Sequence, residues 1–379
     1  MRYYIIAGEA SGDLHGSNLI KELHRQDAGA VIRCWGGELM QAAGAELVKH
    51  YRELAFMGFV EVVKNLPAIL QNIKFCKQDV KKFHPDAIIF IDYPGFNLRM
   101  AKWAKQENFK TIYYISPQVW AWKENRVKMI RKCIDKMLVI LPFEKEFYQK
   151  WNYDVEYVGH PLVNVIDRFR DEDMKLQQKL NLKPRSLNPK PFIALLPGSR
   201  KQEILKKLPV MLEASKSFPQ YSFVVAQAPG QEESFYAGLL KNYSDVFTVS
   251  NQTYLLLSKA KAACVTSGTA TLETALFAVP EVVCYKGNAV SYQIAKRLIK
   301  VKFISLVNLI MDKLVVKELI QDEFNVENLK KELNNILTGQ LTRQKLQKDY
   351  TDLKDILLAG GDASANAAKS IVGFLKEKD

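Results

Sequence analysis

The chain has 379 residues and a mass of 43.3 kDa, with 54 lysines and arginines against 41 aspartates and glutamates, a formal net charge of +13 and a pI near 9.3. At roughly 150 residues per domain this length calls for two or three domains with cores of their own, and the 48% apolar and 25% charged content excludes wholesale disorder. The surplus positive charge points to an anionic partner, for which nucleic acid, a phosphorylated small molecule and an acidic membrane surface all qualify.

The longest apolar runs, such as Ala87–Ile91 and Met137–Leu141, fall far short of the ~20 residues that a membrane-crossing helix needs. The N-terminus, Met1-Arg2-Tyr3-Tyr4-Ile5-Ile6-Ala7-Gly8, is basic and then apolar. Its apolar stretch is too short for a signal-peptide core and runs straight into a polar loop, so it reads as a first strand and the expected residence is cytoplasmic. Cys34, Cys76, Cys133, Cys264 and Cys284 are odd in number and widely spaced. Buried thiols are expected, with neither a disulfide framework nor a zinc knuckle.

Short apolar runs alternate with helical patterns, the signature of parallel sheets wound with helices. In the first half the expected strands are Tyr3–Ala7, Val31–Trp35, Ala87–Ile91, Thr111–Ile115, Met137–Leu141 and Val155–Val158. Ile69, Ile73, Cys76, Val80 and Phe83 keep a spacing of three or four and line one face of a helix. Charged residues crowd together from Asp167, and Lys183 to Pro191 reads as a proline-stiffened connector, so a domain boundary belongs in this region. Strands then resume at Phe192–Leu196, Ser222–Ala226, Phe247–Val249, Ala262–Thr266, Val282–Tyr285 and Phe303–Leu306. The tail from Val326 is helical and polar, broken by Gly360-Gly361 before a last helix.

Open α/β sheets bind ligands at the carboxyl ends of their strands, so two such domains present a cleft built from loops. The first loop, Gly8-Glu9-Ala10-Ser11-Gly12-Asp13, lacks the dinucleotide glycine spacing. Its carboxylates suit the hydroxyls of a sugar better than a pyrophosphate, and the alternative is a tight turn capped by Ser11 or Asp13. The second, Asp92-Tyr93-Pro94-Gly95-Phe96-Asn97, puts a carboxylate at the end of an apolar run. Asp92 there is either a general base with a raised pKa or, like Asn97, a helix cap. The third, Ser116-Pro117-Gln118-Val119-Trp120-Ala121-Trp122, holds two of the five tryptophans, and Trp120 and Trp122 either stack on a sugar or acyl chain or simply pack. Lys123, Arg126, Lys128, Arg131, Lys132 and Lys136 follow, suited to an anionic ligand or surface or to a solvated helix face.

In the second half, Leu196-Pro197-Gly198-Ser199-Arg200 ends a strand. Ser199 with Gln202 fits a capping box, whereas Arg200 is placed to grip a diphosphate through paired hydrogen bonds. Ser267-Gly268-Thr269-Ala270-Thr271-Leu272-Glu273 follows another strand. With Ser267 or Thr269 as cap, the helix start keeps free N–H groups and makes a phosphate cradle. Glu273 lies about a turn further on, within reach of ribose hydroxyls. The five histidines, His15, His24, His50, His84 and His160, are scattered, and no zinc-protease motif, P-loop or serine elbow is present, so a catalytic metal is not expected.

In this order the motifs resemble the lipid A disaccharide synthases, a glycosyltransferase family of GT-B fold. The resemblance adds Phe56-Met57-Gly58-Phe59-Val60-Glu61-Val62, Leu141-Pro142-Phe143-Glu144, Gly159-His160-Pro161 and Ser305-Leu306-Val307-Asn308-Leu309 to the loops above, and it runs from Ala7 to about Glu323. It implies an α/β fold of two Rossmann-like domains facing across a cleft. Residues 1–168 form the acceptor and membrane-facing domain, with the tail 345–379 packing back onto it, and residues 169–344 form the UDP-sugar domain.

The activity it implies is inverting transfer of 2,3-diacylglucosamine from UDP to 2,3-diacylglucosamine 1-phosphate, giving a β-1,6 disaccharide 1-phosphate and UDP. No cofactor or metal is implied. Asp92 would be the base and Arg200 would also act in catalysis by stabilising the leaving UDP, while Ser199, Arg200, Ser267, Gly268, Thr269, Glu273 and Asn308 would hold the UDP-sugar. Gly8, Glu9, Ser11, Gly12, Trp120 and Trp122 would line the acceptor side, while Phe59, Val62, Val63, Leu66 and Ile69 would touch the membrane unless they form an ordinary core helix. The expected setting is the cytoplasmic face of the inner membrane, bound peripherally to its anionic surface, with no nucleic-acid partner and with a homodimer as one assembly state. The competing readings are a UDP-N-acetylglucosamine 2-epimerase, an undecaprenyl-linked transferase and a non-catalytic basic lipid-binding protein.

Overall fold

The computed structural model describes residues 1–54, 66–179, 190–228, 231–288, 292 and 301–377. The chain divides into two compact units, Met1–Pro161 with Leu357–Asp379, and Leu162–Ile356. The expected divisions at 168/169 and 344/345 fall instead inside the helices Pro161–Lys179 and Gln340–Leu358. The charge cluster that begins at Asp167 marks the solvated face of the first of these helices, whose buried Leu162, Val163 and Ile166 belong to the second unit. Most of the connector expected at 183–191 lies outside the described residues.

In the first unit the strands are β1 (Arg2–Ala7), β2 (Val31–Gly36), β3 (Glu46–His50), β4 (Ala87–Ile91), β5 (Lys110–Tyr114), β6 (Lys136–Val139) and β7 (Glu156–Tyr157), in the order β3-β2-β1-β4-β5-β6-β7. Every described pairing is parallel. A parallel sheet covered on both faces selects strands that are apolar at every position, and all five residues of Ala87-Ile88-Ile89-Phe90-Ile91 are fully buried. Successive side chains serve opposite layers, as the strand period of two requires. Tyr4, Ile6, Ile88 and Phe90 pack with Ile73, Cys76, Val80 and Phe83 of the helix Leu66–Phe83. Tyr3, Ile5, Ala87 and Ile89 pack on the other side, where Leu19, Ile20 and Leu23 of the helix Ala10–Gln26 meet Ala367, Ala368, Ile371 and Val372 of the final helix, Ala363–Lys376. Each such Ile contributes about 1.5–3 kcal/mol by burial, so a charge at Ile89 would break the sheet's centre.

The second unit holds β8 (Phe192–Leu196), β9 (Ser222–Gln227), β10 (Val246–Ser250), β11 (Ala262–Thr266), β12 (Glu281–Tyr285) and β13 (Lys317–Ile320), in the order β10-β9-β8-β11-β12-β13. Two strands differ from expectation. Edge strand β3 is half-exposed and carries Glu46, Lys49 and His50, so its apolar signal is weak. Phe303–Leu306 is not a strand: Ser305 caps the helix Leu306–Met311 by accepting from Asn308 N, and the edge strand is β13. All five cysteines are buried free thiols.

Candidate active site

In both sheets the chain order reverses beside the first strand of the unit, at β2-β1-β4 and at β9-β8-β11. Helices leave in opposite directions at such a reversal, which opens a crevice outside the carboxyl ends of the strands. The loops after β1 and β4 in one unit, and after β8 and β11 in the other, are the loops singled out by sequence.

After β1, Glu9 occupies the N-cap position of the helix Ala10–Gln26 with extended backbone and no capping side chain. Ser11 is exposed, and Asp13 serves a different helix. Buried and 2% exposed, the Asp13 carboxylate accepts from the backbone N–H groups of Gly37, Leu39 and Met40, which start the helix Glu38–Ala42. Asp13 is therefore a structural cap, and the carboxylate left near the crevice on this loop is the half-buried Glu9. Gly8 and Gly12 are buried in the turn.

After β4, Asp92 and Tyr93 both take left-handed backbone, with φ of 43° and 49°, and Ile115 at the end of β5 does the same at 66°. Left-handed geometry in residues with a Cβ is held only where the surroundings enforce it, and it concentrates at functional sites. The enforcers are identifiable. The Asn97 amide donates to the carbonyls of Ile6, Ile91 and Asp92 at 2.8–3.3 Å, and the Tyr113 hydroxyl donates to Asp92 O at 2.5 Å. Neither Asp92 nor Asn97 caps the next helix, whose N-cap is Tyr93 without a side-chain bond. The Asp92 carboxylate is half-buried, and its pKa is pushed up to about 6 by desolvation and then by the neighbouring charge of Glu9. Two carboxylates predicted on separate loops thus act on one another.

Trp120 does not offer a stacking face. It is 6% exposed and packs edge-to-face on Phe143 with ring centroids 5.0 Å apart. Beneath it lies Glu144, 1% exposed, which accepts from Leu141 N at 3.0 Å and whose pKa burial pushes up to about 7. The Trp122 side chain lies outside the described residues. The tryptophan motif is thus, at Trp120, a packing device that seats the loop after β5 on the turn after β6.

In the second unit a cleft of about 460 Å³ opens at the ends of β8, β9 and β11, lined by Ser199, Arg200, Glu203, Thr266, Ser267, Gly268, Thr269 and Glu273 among others. Arg200 itself occupies the N-cap position of the helix Lys201–Ser215, without a side-chain bond, so the capping box from Ser199 does not form. The guanidinium is 59% exposed and pairs with Glu203 at 3.6 Å. Gly268, not Ser267 or Thr269, is the N-cap of the helix Thr269–Leu276, with φ of 134°. The Ser267 hydroxyl donates to Ile304 O at 2.8 Å, which leaves its lone pairs as acceptors toward the cleft. Tyr254 donates to the Glu273 carboxylate at 3.0 Å, and burial raises the Glu273 pKa.

Asn308 does not offer its amide to a ligand. It is fully buried, its amide N–H groups donate to Val316 O and Glu318 Oε1, and its Oδ1 accepts from Val315 N and Val316 N. An amide has two donors and two acceptor sites, so none is left for a ligand. Glu318 in turn accepts from Ile304 N and Ser305 N. Asn308 shapes the segment that receives the Ser267 hydroxyl. The polar character of Glu318 on a strand was the signal available for this network.

Of the residues expected at a membrane, Phe59, Val62 and Val63 lie outside the described residues, as does the Leu66 side chain. Ile69 packs on the core, whereas its neighbour Leu70 is 57% exposed. The helix Val127–Cys133 exposes Lys128, Arg131 and Lys132, and a groove of about 560 Å³ beside it is lined by Lys102, Lys105, Lys128 and Lys132. Among the described residues no helix is long and apolar enough to cross a membrane, and no cluster of three His, Cys, Asp or Glu side chains is arranged to hold a metal ion.

Residues 3–372 match the family model described as lipid-A-disaccharide synthetase, so the match continues through the tail beyond Glu323. A lipid-A-disaccharide synthase of Syntrophus aciditrophicus (strain SB) is 38% identical over 99% of this chain and 98% of its own. One of Nitrosococcus oceani is also 38% identical, over 98% and 96%. Among solved structures, a UDP-GlcNAc 2-epimerase from Neisseria meningitidis bound to UDP-GlcNAc superposes with a TM-score of 0.70 at 12% identity, covering 100% of both chains. The glycotransferase of kitacinnamycin does so with 0.63 at 14%, covering 98% of each. These likenesses show the GT-B fold; sequence kinship across the whole chain shows more, and the chain belongs to the lipid-A-disaccharide synthetase family of glycosyltransferases.

Proposed function

We propose that, in the disaccharide-forming transfer of its family, this chain uses Asp92 as the general base. The Asp92 carboxylate takes the proton of the acceptor 6-hydroxyl as that oxygen attacks the anomeric carbon of the UDP-linked 2,3-diacylglucosamine. The bond from that carbon to the diphosphate oxygen breaks from the opposite side, the configuration inverts, and UDP departs. The observation that carries this reading is the enforced left-handed turn at Asp92, which holds a half-buried carboxylate of pKa about 6 at a strand end. Such a group is ionised at neutral pH yet basic enough to accept a proton in the transition state. Glu9, Ser11 and the Gly8–Gly12 turn contact the acceptor sugar.

The departing diphosphate meets Arg200, Ser199 and the N-terminus of the helix Thr269–Leu276, whose charge and N–H groups stabilise the developing negative charge. These donors do the work that a metal does in other transferases, so the transfer runs without one. Ser267 accepts from the nucleotide, and Glu273 accepts from ribose hydroxyls. The acylated substrates are reached from an anionic bilayer at the cytoplasmic face of the inner membrane. The lysine-lined groove beside Val127–Cys133 supplies the attraction and exposed Leu70 an apolar contact. The homodimer belongs to the same reading on family resemblance alone, and sedimentation velocity decides it.

The protein incubated with UDP-2,3-diacylglucosamine, 2,3-diacylglucosamine 1-phosphate and EDTA should release UDP and form the β-1,6 disaccharide 1-phosphate. Release of UDP that stops with EDTA would overturn the metal-free reading. On vesicles, binding should require anionic lipid and weaken steeply with salt, while UDP affinity changes less; equal binding to neutral vesicles would overturn the electrostatic part.

A further inference from the structure

Two turns into the helix that Arg200 begins, Lys207 points back under the floor of the UDP cleft. Its side chain is 3% exposed. Lysine is almost never this buried without a partner that neutralises it, and here neutralisation is incomplete. Lys207 Nζ donates to Thr266 Oγ1 at the end of β11, and the nearest carboxylate among the described residues, Glu203, stands 3.8 Å away and is shared with Arg200. The amine also lies 3.5 Å from the point where a side chain on Gly198 would begin, and the Glu203 carboxylate lies 2.5 Å from that point. With φ of 124°, position 198 favours glycine, and a Cβ there would displace the Glu203 carboxylate, so the loop after β8 is moulded over this pair.

The geometry points to Lys207 as a buried cation that binds no ligand atom itself but sets the charge and position of both phosphate-facing loops, through Thr266 on one side and Glu203 beneath Gly198 on the other. This rests on the reading of the cleft as the UDP site and adds a positioning residue to it. In a low-dielectric floor, a positive charge one side chain below the diphosphate acts more strongly than a solvated surface lysine. The groups that face it are Glu203 and Arg200 from its own helix, Thr266 from β11 and Cys284 from β12. Burial lowers its pKa, with Arg200 adding to the effect and Glu203 and Cys284 opposing it.

The test compares UDP with uridine, which shares the base and ribose but lacks phosphate. Lys207→Met should weaken UDP at least tenfold and uridine less than twofold, with no fall in melting temperature, because a long apolar side chain replaces an incompletely paired charge. In the unmutated protein the ratio of UDP to uridine affinity, which cancels titration of the base, should decline at high pH as Lys207 loses its proton, earlier than an ordinary lysine would. Lys207→Arg, charged throughout, should hold that ratio constant and serves if the methionine variant does not fold. Equal loss of both ligands in Lys207→Met, or a ratio that follows the same pH profile in the unmutated protein and in Lys207→Arg, would overturn the assignment. If the unmutated protein binds neither UDP nor uridine, the cleft reading itself fails, which is a separate result.

Discussion

The ring of Tyr93 fills the space that a side chain at position 8 would need: a Cβ on Gly8 would sit 2.3 Å from Tyr93 Cδ1 and Cγ. The two residues follow the paired ends of β1 and β4, where Ala7 lies beside Ile91. The ring is itself fixed, stacking on Phe96 with centroids 5.8 Å apart while its hydroxyl donates to Leu54 O at 3.3 Å. The absence of a side chain in the first loop thus permits the strained turn that carries Asp92.

Gly8→Ala should therefore destabilise the first unit by about 1–3 kcal/mol, the usual range for overpacking, and lower the rate through displacement of the Asp92 turn. Adding Tyr93→Ala should recover part of the lost stability. Urea unfolding of the two single variants and the double variant measures the coupling, and strictly additive losses would show that the ring and the glycine do not interact.

Asp92 sets a pH dependence with two opposite signs. The rate should fall tenfold per pH unit below about 6 as the carboxylate takes up its proton. Asp92→Asn should lower kcat by about 10²–10⁴ and abolish this limb while UDP binding stays unchanged. For stability, a folded pKa raised above the ordinary value means that the native state binds the proton more tightly than the unfolded chain. The contribution of this group is therefore present at low pH and is lost as pH rises through 6. Asp92→Asn should be more stable than the parent at pH 8 and equal to it at pH 4; retention of near-normal turnover would remove Asp92 from the mechanism.

Asn308→Ala removes the partners of Val315 N, Val316 N, Val316 O and Glu318 inside a closed core. Unsatisfied buried groups cost about 1–3 kcal/mol each, so a loss of at least about 3 kcal/mol is expected, with weaker UDP binding as a consequence. Asn308→Asp places a second carboxylate against Glu318 and should be worse at pH 8 than at pH 5. An unchanged urea midpoint for Asn308→Ala together with abolished UDP binding would instead mean that this amide faces the ligand.

Glu281, at the start of β12, is 1% exposed, and among the described residues neither carboxylate oxygen has a hydrogen-bond partner. Burial holds its pKa well above the ordinary value, so the folded protein keeps this proton to a higher pH than the unfolded chain does. The unfolded chain ionises first as pH rises, and native stability falls by up to about 1.4 kcal/mol per pH unit until the folded group ionises. Glu281→Gln should remove this slope, stabilising the protein at pH 8 with little change at pH 4 and unaltered transfer activity. Chemical denaturation across that range, compared between the two proteins, reads the difference directly.

The central strands were legible in the sequence because a parallel sheet buried on both faces needs unbroken apolar runs, as at Ala87–Ile91 and Ala262–Val265. The loops were legible because chemistry after a strand end leaves glycine, proline and charged residues beside those runs. Edge strands β3 and β13 were not, since one side of each pairing is missing and polar residues such as Lys49 and Glu318 are tolerated there. How each polar side chain uses its hydrogen bonds depends on the fold. Asp13 and Asn308 carry the residue types of binding groups, yet Asp13 is occupied by backbone N–H groups of a distant helix start and Asn308 by the nearby strand and the turn before it. Trp120 is likewise enclosed by Phe143. Conversely Lys207, which in sequence looks like one lysine among many, acquires its place only because the helix after Arg200 turns it beneath β11. Local sequence sets residue type and strand or helix period; burial and pairing depend on partners brought together by the fold, and these determine whether a charge faces a ligand or the protein itself.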